Sequence, residues 1–242
     1  MEITTDQEKS QKRHGLTTPR AAAVAGICFS ILLITSQFLV WTSIPASLER
    51  HGEAVINHSK KIGLALNLLP FAGIAFLWFI AVIRNRLGSL EDRFFATVFM
   101  GSGFLYVTMI FISAALAGGL IQILSTAPEI LIKTGTYALG RAEVYQVMNV
   151  YGIKMSGMFM FSTSTIFLKT RVVPRWIAFL GYLLGAMLLL SIGIILWIPL
   201  VFPLWVFLVS ASILLDKSSA AERTSGPSQQ ASDLKTRPLR AG

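Results

Sequence analysis

The chain alternates between long uncharged apolar runs and short polar segments. The first run, Ala21 to Thr42, and the second, Ile62 to Ile83, each reach the roughly 20 residues that a helix needs to cross a hydrocarbon core. The third run, Phe94 to Ile123, would be roughly 45 Å long as a helix. Because that length exceeds a core of about 30 Å, we expect this helix to tilt, to break near Gly118-Gly119, or to protrude.

The second half of the chain contains three further apolar runs. The fourth extends from about Tyr151 to Leu168 and the fifth from Trp176 to Trp197. The sixth is shorter, Leu200 to Leu215, and we expect a hairpin turn near Pro199, because one helix through both runs would be about 60 Å long. The pattern predicts an all-α fold, a polytopic transmembrane helix bundle with about six spans.

Three regions follow from this pattern. Residues 1–20 and 216–242 are polar and charged, and we expect them to form disordered cytoplasmic tails. Residues 21–215 form the six-span membrane domain. Its longest loop, Leu124 to Val150, contains a capping-box pattern beginning at Thr126, which predicts a short interfacial helix around Ile130, Leu131 and Ile132.

Composition and charge placement support a membrane protein and predict its orientation. Hydrophobic residues make up 54% of the chain and charged residues only 14%, against about 25% charged in a soluble domain. With six spans, 15 of the 21 Lys and Arg residues lie on the side that carries both tails, and 6 on the other. The positive-inside rule predicts a multi-pass protein of the inner (plasma) membrane with both termini cytoplasmic. We expect the net charge of +9 to meet anionic lipid head groups, and we expect no nucleic-acid partner.

One segment resembles a known group of proteins. The stretch from Leu68 to Ala117, and most recognisably the loop from Arg84 to Phe95 with the sequence RNRLGSLEDRFF, resembles small bacterial multi-pass membrane proteins of unknown function. The resemblance covers about a third of the chain. It implies a bacterial inner membrane and brings no activity with it.

The residue types that carry most catalytic and metal chemistry lie outside the apolar runs. His14, His51 and His58 are all outside them, and none of the runs contains Asp or Glu. His51 and His58 share a polar segment with Glu49 and Glu53, which are residue types that bind zinc, but their spacing matches no metal motif. We expect no metal, no cofactor and no catalytic residues, and therefore not an enzyme.

Large polar side chains cluster at one depth, in the half of the bilayer that the charge rule assigns to the outside. Pro70 has no N–H, so the carbonyl of Leu66 beside this group also loses its helical donor. Buried amides and a freed carbonyl need partners or water, and we interpret the group as a candidate outward-facing polar vestibule among spans one to four. The alternative is that amides near helix ends simply reach interfacial water. The group consists of Gln37, Asn67, Gln122, Asn149 and Lys154.

Small residues indicate where helices approach closely. Gly181 and Gly185 in the fifth run have the small-xxx-small spacing of helix-packing positions. Packing within the bundle is the first interpretation, and a homodimer or another membrane-protein partner is the second. The four consecutive hydroxyls from Ser162 to Thr165 either pack against a neighbouring helix or line a solute path.

Two classes of function remain open on this evidence. The first is a non-enzymatic membrane or envelope component. The second is a small-solute transporter or channel that uses the outward-facing vestibule. A continuous polar cavity in the structure would favour transport, and a dry bundle with an exposed groove would favour a partner.

Overall fold

The described part of the chain is a set of helices. In the computed structural model it comprises residues 21–40, 52–87, 93–127, 134–170, 173–191 and 197–215, and every regular element within those ranges is helical. The all-α fold expected from the sequence is confirmed for these residues. In chain order the elements are α1 Ala21–Val40, α2 Gly52–Leu87, α3 Arg93–Thr126, α4 Thr136–Gln146, the π segment Val147–Gly152, α5 Ile153–Thr170, α6 Arg175–Leu190 and α7 Ile198–Leu215.

Four of these helices are long and apolar enough to cross a membrane. They are α1, residues Ile62–Arg84 of α2, residues Phe94–Thr126 of α3, and α7, with mean hydropathies between 2.1 and 2.3. The chain therefore has the helices of a multi-pass membrane protein. The two remaining predicted spans differ from these four: α6 is apolar but has only 16 residues, and α5 is rich in hydroxyls and carries Lys154 and Lys169.

The hydroxyls of α5 lie inside the bundle, which explains why this helix is less apolar than the others. Ten of its 18 residues are buried. The Ser162 and Thr163 hydroxyls donate to the Phe159 carbonyl of the preceding turn at 3.0 and 2.6 Å. The Thr165 hydroxyl lies 2.6 Å from the hydroxyl of Tyr182 on α6. A helix surrounded by protein can satisfy such groups without lipid contact.

Successive long helices run in opposite directions. The Ser36 hydroxyl near the end of α1 donates to the Ala65 carbonyl of α2 at 2.8 Å. At the far side of the bundle, the ammonium of Lys169 near the end of α5 lies 5.0 Å from the centre of the Phe95 ring at the start of α3. We call the end that holds Ser36 and α4 the α4 end, and the end that holds Phe95 and Lys169 the opposite end.

Helices α2 and α3 extend beyond a bilayer core. Their 36 and 34 residues correspond to lengths of roughly 54 and 51 Å at 1.5 Å per residue. Helix α3 continues without a break through Gly118-Gly119, so the break that was one of the three possibilities does not occur. At the α4 end its last turns pack with α2 and α4 around a small second core, which consists of Ile62, Leu66, Leu120, Ile121, Leu124 and Tyr137.

Element bounds in the second half of the chain differ from the sequence expectation. The segment expected as a long loop contains α4 and the π segment, which join α5 as one continuous helical run from 136 to 170. Helix α6 ends at Leu190 rather than near Trp197. Helix α7 begins at Ile198, with Pro199 in its first turn, where a missing N–H costs nothing. The expected helix around 130–132 and both tails lie outside the described residues.

A cluster of buried aromatic rings joins five helices in the middle of the bundle. We call it the aromatic floor, and it consists of Phe29 of α1, Phe76 of α2, Tyr106 of α3, Phe159 of α5 and Phe202 of α7, none more than 2% exposed. The ring of Phe76 lies 4.5 Å from that of Phe29 and 5.1 Å from that of Phe159, measured between centres. Rings at these separations make a close-packed, dry layer.

The two glycines of α6 that were predicted to pack helices both contact neighbouring helices. A Cβ on Gly157 would lie 2.9 Å from the Gly185 carbonyl oxygen, and one on Gly185 would lie 3.0 Å from the Gly157 carbonyl oxygen. The two backbones therefore touch directly. A Cβ on Gly181 would overlap the Ser164 hydroxyl and lie 2.9 Å from the Trp205 ring. Both glycines of the motif face the interior of this bundle.

Candidate functional site

A cavity of about 400 Å³ lies at the α4 end of the bundle. Its volume falls within the range of roughly 300–1,000 Å³ that is usual for small-molecule sites. Helices α1 to α4 and the π segment form its walls, and it is not fully enclosed. The lining residues are Ser36, Gln37 and Val40 of α1; Leu66 and Leu69 of α2; Ile110, Ser113, Ala114 and Ala117 of α3; and Arg141, Val144, Tyr145, Met148 and Asn149 of α4 and the π segment.

Two serines of the cavity wall connect neighbouring helices. The Ser36 hydroxyl donates to the Ala65 carbonyl of α2, and the Ser113 hydroxyl of α3 donates to the Val144 carbonyl of α4 at 3.4 Å. Both donors are thus used by backbone oxygens, and each hydroxyl oxygen keeps acceptor capacity. These bonds hold α1 against α2 and α3 against α4 at the height of the cavity.

The π segment shapes the wall opposite α1. The Ile153 N–H donates to the Met148 carbonyl five residues back, as the wider π turn requires. One extra residue in the turn leaves both Met148 and Asn149 on the cavity side. The Asn149 amide N–H donates to the Tyr145 carbonyl at 3.2 Å, so the side chain supports the irregular turn and still has an amide oxygen and a second N–H.

Arg141 is the one charged residue among the described residues that line the cavity. It also borders a smaller neighbouring cavity of about 50 Å³, whose other lining residues include Ile62, Leu120 and Tyr137. Burial raises the pKa of the Tyr137 phenol, and the positive charge of Arg141 one helical turn away lowers it, with burial dominating. The guanidinium therefore stands between an apolar recess and the main cavity.

The aromatic floor lies directly below the cavity. On α3, Tyr106 is one turn below the lining residue Ile110; on α2, Phe76 is two turns below Leu69. On α1, Phe29 is two turns below Ser36. Because these rings pack together, they close the cavity on the side of the floor.

The structure brings some of the predicted vestibule residues together and not others. Gln37 of α1 and Asn149 of the π segment line the cavity. Asn67 is exposed, and its amide donates to the Gly63 carbonyl of its own helix at 2.9 Å. Gln122 is exposed near the end of α3, where its backbone carbonyl accepts a hydrogen bond from the Ser125 hydroxyl at 2.8 Å. Neither of these two amides is among the cavity-lining residues.

Lys154 has a different position. It is half-buried at the start of α5, and its ammonium lies 3.5 Å from the Leu189 carbonyl of α6. Leu189 is the penultimate residue of α6, so its carbonyl has no helical donor. A cation at this position stabilises the carboxyl end of α6 through both a hydrogen bond and the helix dipole.

The sequence interpretation missed Arg141 and Tyr145, because it placed both in a loop. A signal for them exists: Tyr137, Arg141, Val144 and Met148 have the 4-3-4 spacing of one helical face. Read as a helix, this spacing puts a single Arg on a face that otherwise carries Tyr, Val and Met. The side chains of His51, His58, Glu49 and Glu53 lie outside the described residues.

Comparison with known proteins adds no relative to this geometry. No protein-family model, no curated protein and no solved structure matches the chain.

Proposed function

We propose that the protein crosses the bacterial inner membrane six times, with both termini in the cytoplasm and the α4 end outside. The alternating helix directions support this, because α5 and α6 keep the alternation of direction between α3 and α7, which are two of the four long apolar helices. The hydroxyls of α5 point to protein partners rather than lipid. The surplus of Lys and Arg belongs to the opposite end. Trp176 and Trp197 are both exposed, and they lie at opposite ends of the bundle, where interfacial anchors belong.

Reporter fusions test this topology. An enzyme active only outside the cell should be active when fused at Gly52 or Ser125, and inactive when fused at Ser89 or after Gly242. Activity of the carboxyl-terminal fusion outside the cell would contradict the model, since an odd number of crossings would follow.

We propose further that the protein is a non-enzymatic membrane component whose outward-facing cavity binds a small amphipathic molecule. The observation that carries the proposal is the cavity of about 400 Å³, which is lined by both polar and apolar side chains and lies above a dry aromatic floor. Ligand sites in proteins usually have this mixture of apolar wall and few placed polar groups.

Filling the cavity tests the binding function. Three ten-carbon probes with different head groups are suitable: decanoate, decanol and decyltrimethylammonium. At least one of them should raise the melting temperature of the purified wild-type protein in nanodiscs. Ala114→Trp, which fills the cavity, should remove that shift. Ala115→Trp is the matched control, because Ala115 is exposed on the outer side of the same helix. Equal shifts in both variants would mean that the probes act elsewhere.

Transport is the second candidate function, and the π segment in the cavity wall favours it. π turns are local irregularities that often occur at functional sites, where a helix can change register. Transport also requires the aromatic floor to open. Uptake of the bound probe into sealed proteoliposomes, lost in Ala114→Trp, would establish transport, and binding without uptake would leave the non-enzymatic binding component.

A further inference from the structure

We infer that the ligand of the cavity is an amphipathic anion, with a carboxylate or phosphate head group held by Arg141 and an aliphatic portion lying against α1, α2 and α3. This inference rests on the proposed binding function and specifies the chemical class of its ligand.

The head-group end is defined by a polar stripe along α4 and the π segment. Arg141, Tyr145 and Asn149 follow one another at four-residue intervals and all line the cavity. Residues at this spacing share one edge of a helical face. The stripe is about 12 Å long at 1.5 Å per residue, so it presents one cation and two polar groups along a single wall.

The hydrogen-bond capacity along this stripe favours an acceptor as ligand. Asn149 gives one N–H to the Tyr145 carbonyl and keeps its second N–H as a donor. Arg141 carries five N–H donors in a planar fork, so it can keep a contact within the protein and still bind two oxygens of a carboxylate or phosphate. An anion is the head group that matches this fork best.

The charge of the residues that line the cavity also favours a negatively charged head group. Among the described residues that line the two adjoining cavities, Arg141 is charged and no Asp or Glu is present. A cationic head group would be repelled.

The remaining wall is suited to an aliphatic chain. Val40, Leu66, Leu69 and Ile110 line the cavity on α1, α2 and α3, together with the small side chains of Ala114 and Ala117. A small inorganic anion would fill only a fraction of about 400 Å³ and would leave this wall in contact with water. An amphipathic molecule can place its head group against the polar stripe and its aliphatic chain against these apolar side chains.

Isothermal titration of wild-type protein in phosphatidylcholine nanodiscs tests the inference with decanoate, decanol and decyltrimethylammonium. Decanoate should bind at least about 10-fold more tightly than decanol, because a charge-assisted hydrogen bond contributes about 10- to 100-fold in affinity. Arg141→Gln should remove that preference, and Arg141→Lys should retain part of it. Arg84→Gln removes the same charge from the other end of α2, about 22 Å along the helix from Leu69, and should bind decanoate like the wild type.

Failure of the inference and failure of the proposed function give different results. If decanol or the cation binds as tightly as decanoate, or if correctly folded Arg141→Gln binds decanoate normally, the anion assignment is wrong and the binding function stands. If no probe binds in a manner that Ala114→Trp blocks, both are wrong. Circular dichroism and a monodisperse elution profile establish that each variant is folded.

A second experiment identifies the source of the anion. The chemistry fits both a soluble carboxylate that enters from outside and an anionic phospholipid of the outer leaflet. If the source is the lipid, nanodiscs containing phosphatidylglycerol should weaken decanoate binding, and native mass spectrometry should detect phosphatidylglycerol on the wild type and not on Arg141→Gln. Equal decanoate affinity in both nanodiscs, with no retained lipid, assigns the site to a soluble carboxylate.

Discussion

The two ends of the bundle are packed differently. Towards the opposite end, core-facing glycines have no spare room: a Cβ on Gly26 would overlap the Ser210 hydroxyl, and one on Gly181 would overlap the Ser164 hydroxyl. At the α4 end, helices α1 to α4 and the π segment instead surround a cavity of about 400 Å³. The bundle is therefore closely packed around these glycines and spread around a cavity at the α4 end.

This contrast separates stability from binding within one bundle. Where backbones touch and rings interdigitate, a change of one methyl group must displace a helix, so substitutions there should lower stability. Where the helices spread around a cavity, substitutions should change what the cavity holds and leave the fold intact. Each prediction below pairs a position in the core or the cavity with an exposed control of the same residue type.

The aromatic floor should give the largest effect on stability. Phe76 packs against five other rings, whereas Phe71 of the same helix is 62% exposed. We expect Phe76→Ala to lower the free energy of unfolding by about 3–5 kcal/mol, mainly through the cavity that it leaves. Phe71→Ala should change it by less than about 0.5 kcal/mol. Equilibrium unfolding in mixed micelles measures both, and similar losses for the two variants would refute a packed floor.

A smaller loss should follow from one added methyl group at Gly181. Gly181→Ala brings a Cβ against Ser164 and Trp205, and overpacking of this kind costs about 1–3 kcal/mol. Gly119→Ala is its matched control, since open space surrounds that position and alanine favours a helix by about 1 kcal/mol over glycine. The two melting temperatures should therefore move in opposite directions. A rise for both would mean that α6 is loosely packed.

The smallest effect should appear in binding and not in stability. Asn149 lines the cavity, whereas Asn67 is exposed and bonded to its own helix. Asn149→Leu should weaken decanoate binding by about 5- to 10-fold through one lost polar contact, and Asn67→Leu should leave it unchanged. Titration calorimetry compares them. A weaker affinity in Asn67→Leu alone would move the site to the lipid-facing side of α2.

Much of the architecture follows from the sequence because hydrocarbon allows few alternatives. An uncharged run of 20 residues in a bilayer must be a helix, since only a helix satisfies its own backbone. The run that begins at Ala21 is therefore readable from composition alone. Helix α4 is not, because its residues from Thr136 to Gln146 mix polar and apolar side chains and none is buried. Its position depends on contacts with α3, which no local pattern records.

The candidate site could likewise be predicted from the sequence only in part. Predicted depth in the membrane groups Gln37 with Asn149, which both line the cavity, but depth does not say which way a side chain points. Asn67 is at a similar depth and turns outwards, and Lys154 reaches the end of α6. Direction around a helix depends on which neighbours pack where, so the full vestibule group stays a prediction.

The central claim is an outward-open cavity above a closed floor, and cysteine accessibility tests it most directly. Cys28 is the only native cysteine, so Cys28→Ser provides a clean background. Gln37→Cys places a thiol at the cavity wall, and Ser30→Cys places one seven residues earlier on α1, at a buried position whose hydroxyl donates to the Gly26 carbonyl. The two positions are about 10 Å apart along the helix.

A membrane-impermeant thiol reagent added to intact cells should modify Gln37→Cys rapidly and leave Ser30→Cys unmodified until the protein is denatured. Modification of both at equal rates would contradict a closed floor. Modification of Gln37→Cys only in inverted vesicles would place the cavity on the cytoplasmic side and overturn the proposed orientation.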